Sequence, residues 1–138
     1  MVIASPRDDG PSDSGALYVY QYQPSTDAWV ETKIKASDAS GSDYLGKSLG
    51  ISGNTIVAGS YKNSSWGGVY VYEYDPSDDT WAETYLIGSD SAIDDRFGND
   101  FAVSGITILI GAEGDDDNGA TSGSVYLYQY QPSTENWV

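Results

Sequence analysis

Cysteine and histidine are both missing from this chain, and each absence excludes a group of functions. Without them, disulfides, thiol chemistry, imidazole acid–base catalysis and the usual structural zinc sites are excluded. Long apolar runs are also missing, because the longest, at residues 106–110, has the length of one strand. The first ten residues lack the basic start and apolar stretch of a signal peptide. We therefore expect no membrane insertion, and we expect any targeting segment to lie outside this chain.

Positive charge is scarce in the chain. Six basic residues stand against 21 acidic ones, so the 138 residues carry a formal net charge of −15. A surface of this kind repels phosphate backbones and anionic lipid, which predicts no nucleic-acid partner. The same surface attracts divalent cations, although acidic residues also serve simply to keep a surface solvated.

What the sequence does contain is one phrase in three copies. LYVYQYQPSTDAWV begins at residue 17, VYVYEYDPSDDTWA at residue 69 and VYLYQYQPSTENWV at residue 125. Equivalent tyrosines in the three copies are 52 and then 56 residues apart (Tyr20, Tyr72 and Tyr128). A period near fifty with strand-like sequence in each copy indicates a repeat architecture of β-blades.

Each repeat contains four strand-like segments and none with a helical period. Residues 45–52 read as a first strand, and Gly53 supplies the positive φ of a tight turn into a second strand, NTIVAGS. The second strand is apolar on both faces, which is typical of a strand covered from both sides. The tyrosine phrase forms the third strand, and a fourth begins at Trp29 or Trp81. The prediction is an all-β fold of four-stranded antiparallel propeller blades, with about eleven strands in the chain.

The tyrosines of the phrase alternate with aliphatic residues. Tyr18 and Tyr20 should point to one side of the strand, and Leu17 and Val19 to the other. We interpret the tyrosine row as packing between adjacent blades. A row of tyrosines that stacks on sugars or binds a partner is the alternative.

The third copy resembles the FG-GAP repeat, the blade unit of integrin α-subunit propellers and of many surface proteins. The resemblance rests on Phe97-Gly98, then AVSG, then Gly111-Ala112, an acidic loop and GSVYLY. In the earlier copy the Phe-Gly pair becomes Leu45-Gly46, and no copy has a complete Gly-Ala-Pro element. The resemblance implies about two and a half to three blades in an incomplete ring, with repeat bounds at 1–36, 37–88 and 89–138. It also implies an extracellular or cell-surface location.

In that family the loop between the second and third strands often holds calcium through spaced aspartates. A hard cation of this size needs six to eight oxygen ligands, mostly from carboxylates. The candidates are in the third and first loops, whereas the middle loop, YKNSSWGG, has lost its acids. None of the loops matches the spaced D-x-D-x-D-G pattern, and a solvated acidic turn is the alternative. The candidate ligands are Glu113, Asp115, Asp117 and Asn118 in the third loop and Asp8, Asp9 and Asp13 in the first.

The residues bear on three possible functions. A non-catalytic interaction or structural module, with blades that mediate adhesion or assembly, is the function we expect. A calcium-dependent carbohydrate-binding, lectin-like module is the alternative. We do not expect this protein to be an enzyme. Paired-carboxylate catalysis needs two acids in one particular cleft, whereas the acids of this chain recur at equivalent loop positions. The partner expected is a protein or a second copy joined through blade edges, with a glycan as the alternative.

Three repeats of four strands cannot close a propeller by themselves. The first repeat lacks a strand ahead of Val2, and the last ends two residues into its fourth strand. An open array exposes a blade face and a strand edge at each end, and both favour association. We therefore expect the working unit to be larger than this chain, either as part of a longer propeller or as an oligomer.

Overall fold

In the part of the chain that the structure describes, the alternating apolar pattern of the repeats forms eleven strands in three antiparallel sheets. The computed structural model describes residues 1–8, 12–60, 67–117, 119–120 and 122–138, and no α-helix occurs among these. The first sheet contains β1 (Val2–Ser5), β2 (Ala16–Gln23) and β3 (Ala28–Ile34). The middle sheet contains β4 (Leu49–Ser52), β5 (Thr55–Ser60), β6 (Gly68–Asp75) and β7 (Thr80–Leu86). The third sheet contains β8 (Phe97–Ser104), β9 (Thr107–Ala112), β10 (Ser124–Gln131) and β11 (Asn136–Trp137).

Strands follow one another in chain order within every sheet, so each sheet is a meander. Short hairpin loops place consecutive strands side by side. Ser52 pairs with Thr55 across a two-residue loop in which Gly53 has a φ of 58°, and Ser104 pairs with Thr107 in the same way. The three-sheet, all-β architecture confirms the predicted propeller blades.

The middle sheet packs between the other two, and its alternation decides which residues face each neighbour. Tyr70 and Tyr72 on β6 belong to the core shared with the first sheet, where Leu17 and Val19 meet them. Val69 and Val71, on the opposite face, belong to the core shared with the third sheet. All four β6 side chains are at most 2% exposed. The first and middle sheets thus each have an aliphatic face that packs on the tyrosine face of the sheet after it.

Backbone contacts tie neighbouring sheets together where each tyrosine strand begins. Gly15 forms a parallel bridge with Leu45, and Gly67 forms the equivalent bridge with Phe97. Gly67 has a φ of 74°, and a Cβ there would lie 2.1 Å from the carbonyl oxygen of Phe97. Only glycine permits so close an approach of the two backbones.

Two sequence expectations about strands need correction. The predicted strand at residues 45–52 begins only at Leu49, because Gly46 has a φ of 89° and a turn brings the Lys47 N–H to the carbonyl oxygen of Tyr44. The sequence also predicts that the second strand of each repeat is covered on both faces. This is right for β5 but wrong for β9, where Leu109 is 45% exposed. No sheet formed by the described residues packs on its outward face.

Candidate functional site

The third acidic loop connects β9 to β10 and is folded around Asp115. The Gly123 N–H donates to the carbonyl oxygen of Asp115 at 2.9 Å, and the Gly114 N–H donates to that of Asp95 at 3.1 Å. These bonds fix the loop against the turn that precedes the third sheet. The Asp115 side chain is consequently only 2% exposed, which is rare for a carboxylate.

Both carboxylate oxygens of Asp115 accept hydrogen bonds. Oδ1 accepts the backbone N–H of Asp117 at 3.2 Å, and Oδ2 accepts the hydroxyl of Tyr126 at 3.0 Å. The same hydroxyl lies 2.5 Å from Oδ1 of Asp90. A phenol has a single hydrogen to donate, so it can satisfy one carboxylate fully and not both. Two acids therefore meet at one hydroxyl.

Negative charge accumulates around this hydroxyl. The charge of Asp115 raises the pKa of the exposed Asp117 carboxyl, and the charge of Asp90 adds to the effect. Burial raises the pKa of the Tyr126 phenol, and its hydrogen bonds to Asp90 and Asp115 raise it further. The arrangement therefore favours the approach of a cation.

Glu113, also a predicted ligand, turns to a different partner. Its Oε1 accepts a hydrogen bond from Nη1 of Arg96 at 2.9 Å, and Nδ2 of Asn99 lies at 3.4 Å. Asn118, the remaining candidate of this loop, lies outside the described residues. Over the ranges that the structure describes, no three acidic side chains are grouped to hold a metal ion. The structure thus brings Asp115 and Asp117 together and pairs Glu113 with an arginine.

The first acidic loop already has a positive charge from the protein. Oδ2 of Asp8 accepts a hydrogen bond from the Tyr18 hydroxyl and lies 3.1 Å from Nζ of Lys33. The lysine ammonium also lies 5.1 Å from the centre of the Tyr18 ring. Asp13 has a φ of 48° and accepts the Tyr44 N–H on its carbonyl oxygen, while Asp9 lies outside the described residues. Lys33 occupies the place at Asp8 that a cation would take.

Asp90 is the acid that the sequence reasoning missed. It precedes the third sheet by several residues and is not in the loop, so its contact with the loop depends on folding. A signal was present, since Asp90 aligns with Asp38 one repeat earlier. In the structure the hydroxyl of Tyr70 donates to Oδ1 of Asp38 at 2.6 Å, as that of Tyr126 does to Asp90. In both repeats a tyrosine of the repeated phrase thus binds an aspartate from the connector, the segment between one sheet and the next.

A second feature of functional interest is the outer face of the third sheet. We call Leu109, Val125 and Leu127 the aliphatic end face, because β9 and β10 place them on the side away from the middle sheet, with Leu109 paired to Leu127. Leu109 is 45%, Val125 72% and Leu127 63% exposed. Contiguous exposed aliphatic residues on a sheet are a common mark of an interaction surface.

The first sheet has an exposed outer face of the opposite kind. We call Ile3, Tyr20, Tyr22 and Trp29 the tyrosine end face, since β1, β2 and β3 place them on the side away from the middle sheet. Ile3 is 60% and Trp29 57% exposed, and the Tyr22 and Trp29 ring centres lie 5.5 Å apart. The array thus ends in an aliphatic face at one side and an aromatic face at the other.

Comparison with known families agrees with this architecture. The family model of the FG-GAP repeat matches residues 29–72 and again residues 81–128, together about two thirds of the chain. The chain belongs to the FG-GAP repeat family. FG-GAP repeats are propeller blades, and the three sheets of this chain are blades of that kind. No curated protein matches the chain.

The FG-GAP matches are staggered relative to the sheets. Each begins at the outermost strand of one sheet, β3 or β7, and ends in the tyrosine strand of the next, β6 or β10. One family unit therefore links two blades covalently. The predicted repeat bounds at 1–36, 37–88 and 89–138 stay predictions, because each family match begins and ends within a strand and not at these bounds.

Proposed function

We propose that this FG-GAP chain is a non-catalytic extracellular interaction module whose propeller blades mediate adhesion or assembly. The observation that carries the proposal is the aliphatic end face. Val71, at the middle-sheet position of Leu127, is fully buried against the next sheet, whereas Leu127 is 63% exposed. A surface built like an inter-blade contact but left open suits a protein partner.

The proposed location outside the cell rests on the family. FG-GAP repeats are typical of extracellular proteins. Among the described residues, no helix is long and apolar enough to cross a membrane. The absence of cysteine fits an extracellular protein as well as any other.

A lectin-like function is the second candidate, and the pair Tyr22 and Trp29 favours it. Exposed aromatic rings of this kind can stack on sugar rings, and the Tyr22 hydroxyl donates to Asp27 at 2.6 Å, which leaves a polar group beside the rings. A glycan array probed with the chain in calcium and in chelator separates the two functions. We expect no sugar-specific signal in either condition. Calcium-dependent binding of defined sugars would replace the protein-interaction proposal with the lectin.

We further propose that calcium stabilises the third loop. Asp115 and Asp117 would hold the ion together with Asn118, and the ion would offset the repulsion that raises the pKa of Asp117. Glu113 is a poorer ligand while it pairs with Arg96, and the first loop is a poorer site because Lys33 neutralises Asp8. The calcium proposal therefore concerns the third loop first.

Thermal unfolding in calcium and in chelator tests this site. At a calcium concentration about 100-fold above the dissociation constant, binding contributes about 2.7 kcal/mol, or a rise in Tm of roughly 5 °C or more. Asp117→Asn should abolish the rise and, by removing a like charge, slightly raise the Tm in chelator. Asp116→Asn is the matched control, since it removes the same charge from the same loop without removing a proposed ligand. A rise that survives Asp117→Asn, or that both variants lose equally, would contradict a site at this loop.

A further inference from the structure

The two end faces of the array occupy positions that are buried wherever a neighbouring sheet exists. Leu127 pairs across the strands with Leu109, as Val71 pairs with Val57 and Val19 with Val2. Val57 and Val71 are fully buried, and Val19 is 3% exposed. The aliphatic end face is therefore the third version of a surface that is covered in its first two versions.

The tyrosine end face follows the same rule from the other side. Ile3 lies opposite Tyr18 on the first sheet, as Ala58 lies opposite Tyr70 and Ile110 opposite Tyr126. Ala58 and Ile110 are fully buried against the preceding sheet, whereas Ile3 is 60% exposed. The surface that is missing in front of Ile3 is an aliphatic face.

Both contacts inside the chain have the same polarity. The aliphatic face of the first sheet meets the tyrosine face of the middle sheet, and the aliphatic face of the middle sheet meets the tyrosine face of the third sheet. Apolar burial drives each contact, and the alternation of side chains makes the two surfaces complementary. An open aliphatic face and an open tyrosine face on one molecule therefore fit each other across two molecules.

We propose that the chain associates head to tail, with the aliphatic end face of one copy packed on the tyrosine end face of a second copy. The inference rests on the proposed interaction function and names its partner as the chain itself. The contact is heterologous, so it either closes into a ring or continues as a filament. Each copy carries a net charge of −15, so two copies repel each other, and salt should strengthen the association because it screens this repulsion.

Sedimentation velocity over a wide concentration series is the first measurement. We expect species larger than the monomer, with a population that rises with concentration and with salt. Leu127→Lys and Ile3→Lys should each weaken association at least about tenfold, since each places a charge in a contact that must exclude water. Ile93→Lys is the control, because Ile93 is 63% exposed but lies in the connector before the third sheet. All three variants make the chain less acidic, so a loss of association cannot come from added repulsion.

A mixing experiment decides the polarity of the contact. Leu127→Lys keeps an intact tyrosine end face, and Ile3→Lys keeps an intact aliphatic end face. Equal amounts of the two variants should form a capped 1:1 dimer, while each variant alone stays monomeric at the same concentration. Circular dichroism checks that both remain folded. A wild-type chain that stays monomeric throughout would overturn the inference, as would variants that fail to complement each other, since two like faces would then be in contact. Neither result would affect the glycan and calcium tests of the proposed function.

Discussion

The tyrosine strands of the middle and third sheets have nearly the same sequence, VYVYEY and VYLYQY, but very different surroundings. In β6 five consecutive residues are buried, whereas exposure alternates along the whole of β10. Leu127 is 63% exposed, and its counterpart Val71 is fully buried. The difference shows that position in the stack of sheets, and not the strand's own sequence, decides what a side chain contributes to stability.

The first and third sheets differ from each other in a complementary way. Each is covered on one face only, but the first sheet exposes its aromatic side and the third its aliphatic side. A stack with two unlike ends has a direction. This direction is why we infer head-to-tail contact between copies and not a symmetric pairing of like faces.

The strongest way to test the contrast between covered and open faces is within one strand. Ile108 is fully buried in the core shared with the middle sheet, and its neighbour Leu109 points to the open face. Ile108→Ala should lower the free energy of unfolding by about 3 kcal/mol. Leu109→Ala should change it by no more than about 0.5 kcal/mol.

Denaturant unfolding of both variants at concentrations where the chain is monomeric gives these values. The two substitutions remove similar volume from adjacent positions, so each serves as a control for the other. Equal losses at the two positions would mean that the outer face of the third sheet is covered within a single chain.

A smaller effect should distinguish two tyrosines of the covered strand. The Tyr70 hydroxyl donates to Oδ1 of Asp38 at 2.6 Å. The buried hydroxyl of Tyr72 lies near the carboxylate of Glu83, its cross-strand neighbour, but makes no hydrogen bond of good geometry among the described residues. Tyr70→Phe should lower the free energy of unfolding by about 1 kcal/mol, and Tyr72→Phe should raise it by about 1 kcal/mol. Opposite signs in urea unfolding would agree with these contacts. A loss at both positions would show that the Tyr72 hydroxyl is satisfied in solution.

Much of this architecture could be predicted from the sequence because its determinants are local. The alternation of Tyr18 and Tyr20 with Leu17 and Val19 assigns each side chain to a face, and Gly53 identifies a hairpin. The same pattern cannot say which faces find a neighbour, because every copy carries it equally. The exposure of Leu109 therefore emerged only with the packing of the sheets.

Prediction from the sequence has a similar limit at the acidic loops. Their carboxylates could be identified from the sequence, but their partners come from distant positions. Asp8 pairs with Lys33 on the third strand of its sheet, and Glu113 pairs with Arg96 from the connector. Asp90 contacts the third loop through the hydroxyl of Tyr126, which also contacts Asp115. Contacts of this range depend on tertiary folding, which a local motif does not encode.

Native-state hydrogen exchange tests the account most directly, because it measures protection strand by strand. In the monomer, amides of β6 should exchange most slowly, at rates near those set by global unfolding, and amides of β2 and β10 should exchange faster. This order follows from a middle sheet covered on both faces between two sheets covered on one. Protection in β10 equal to that in β6, at concentrations below association, would contradict the account.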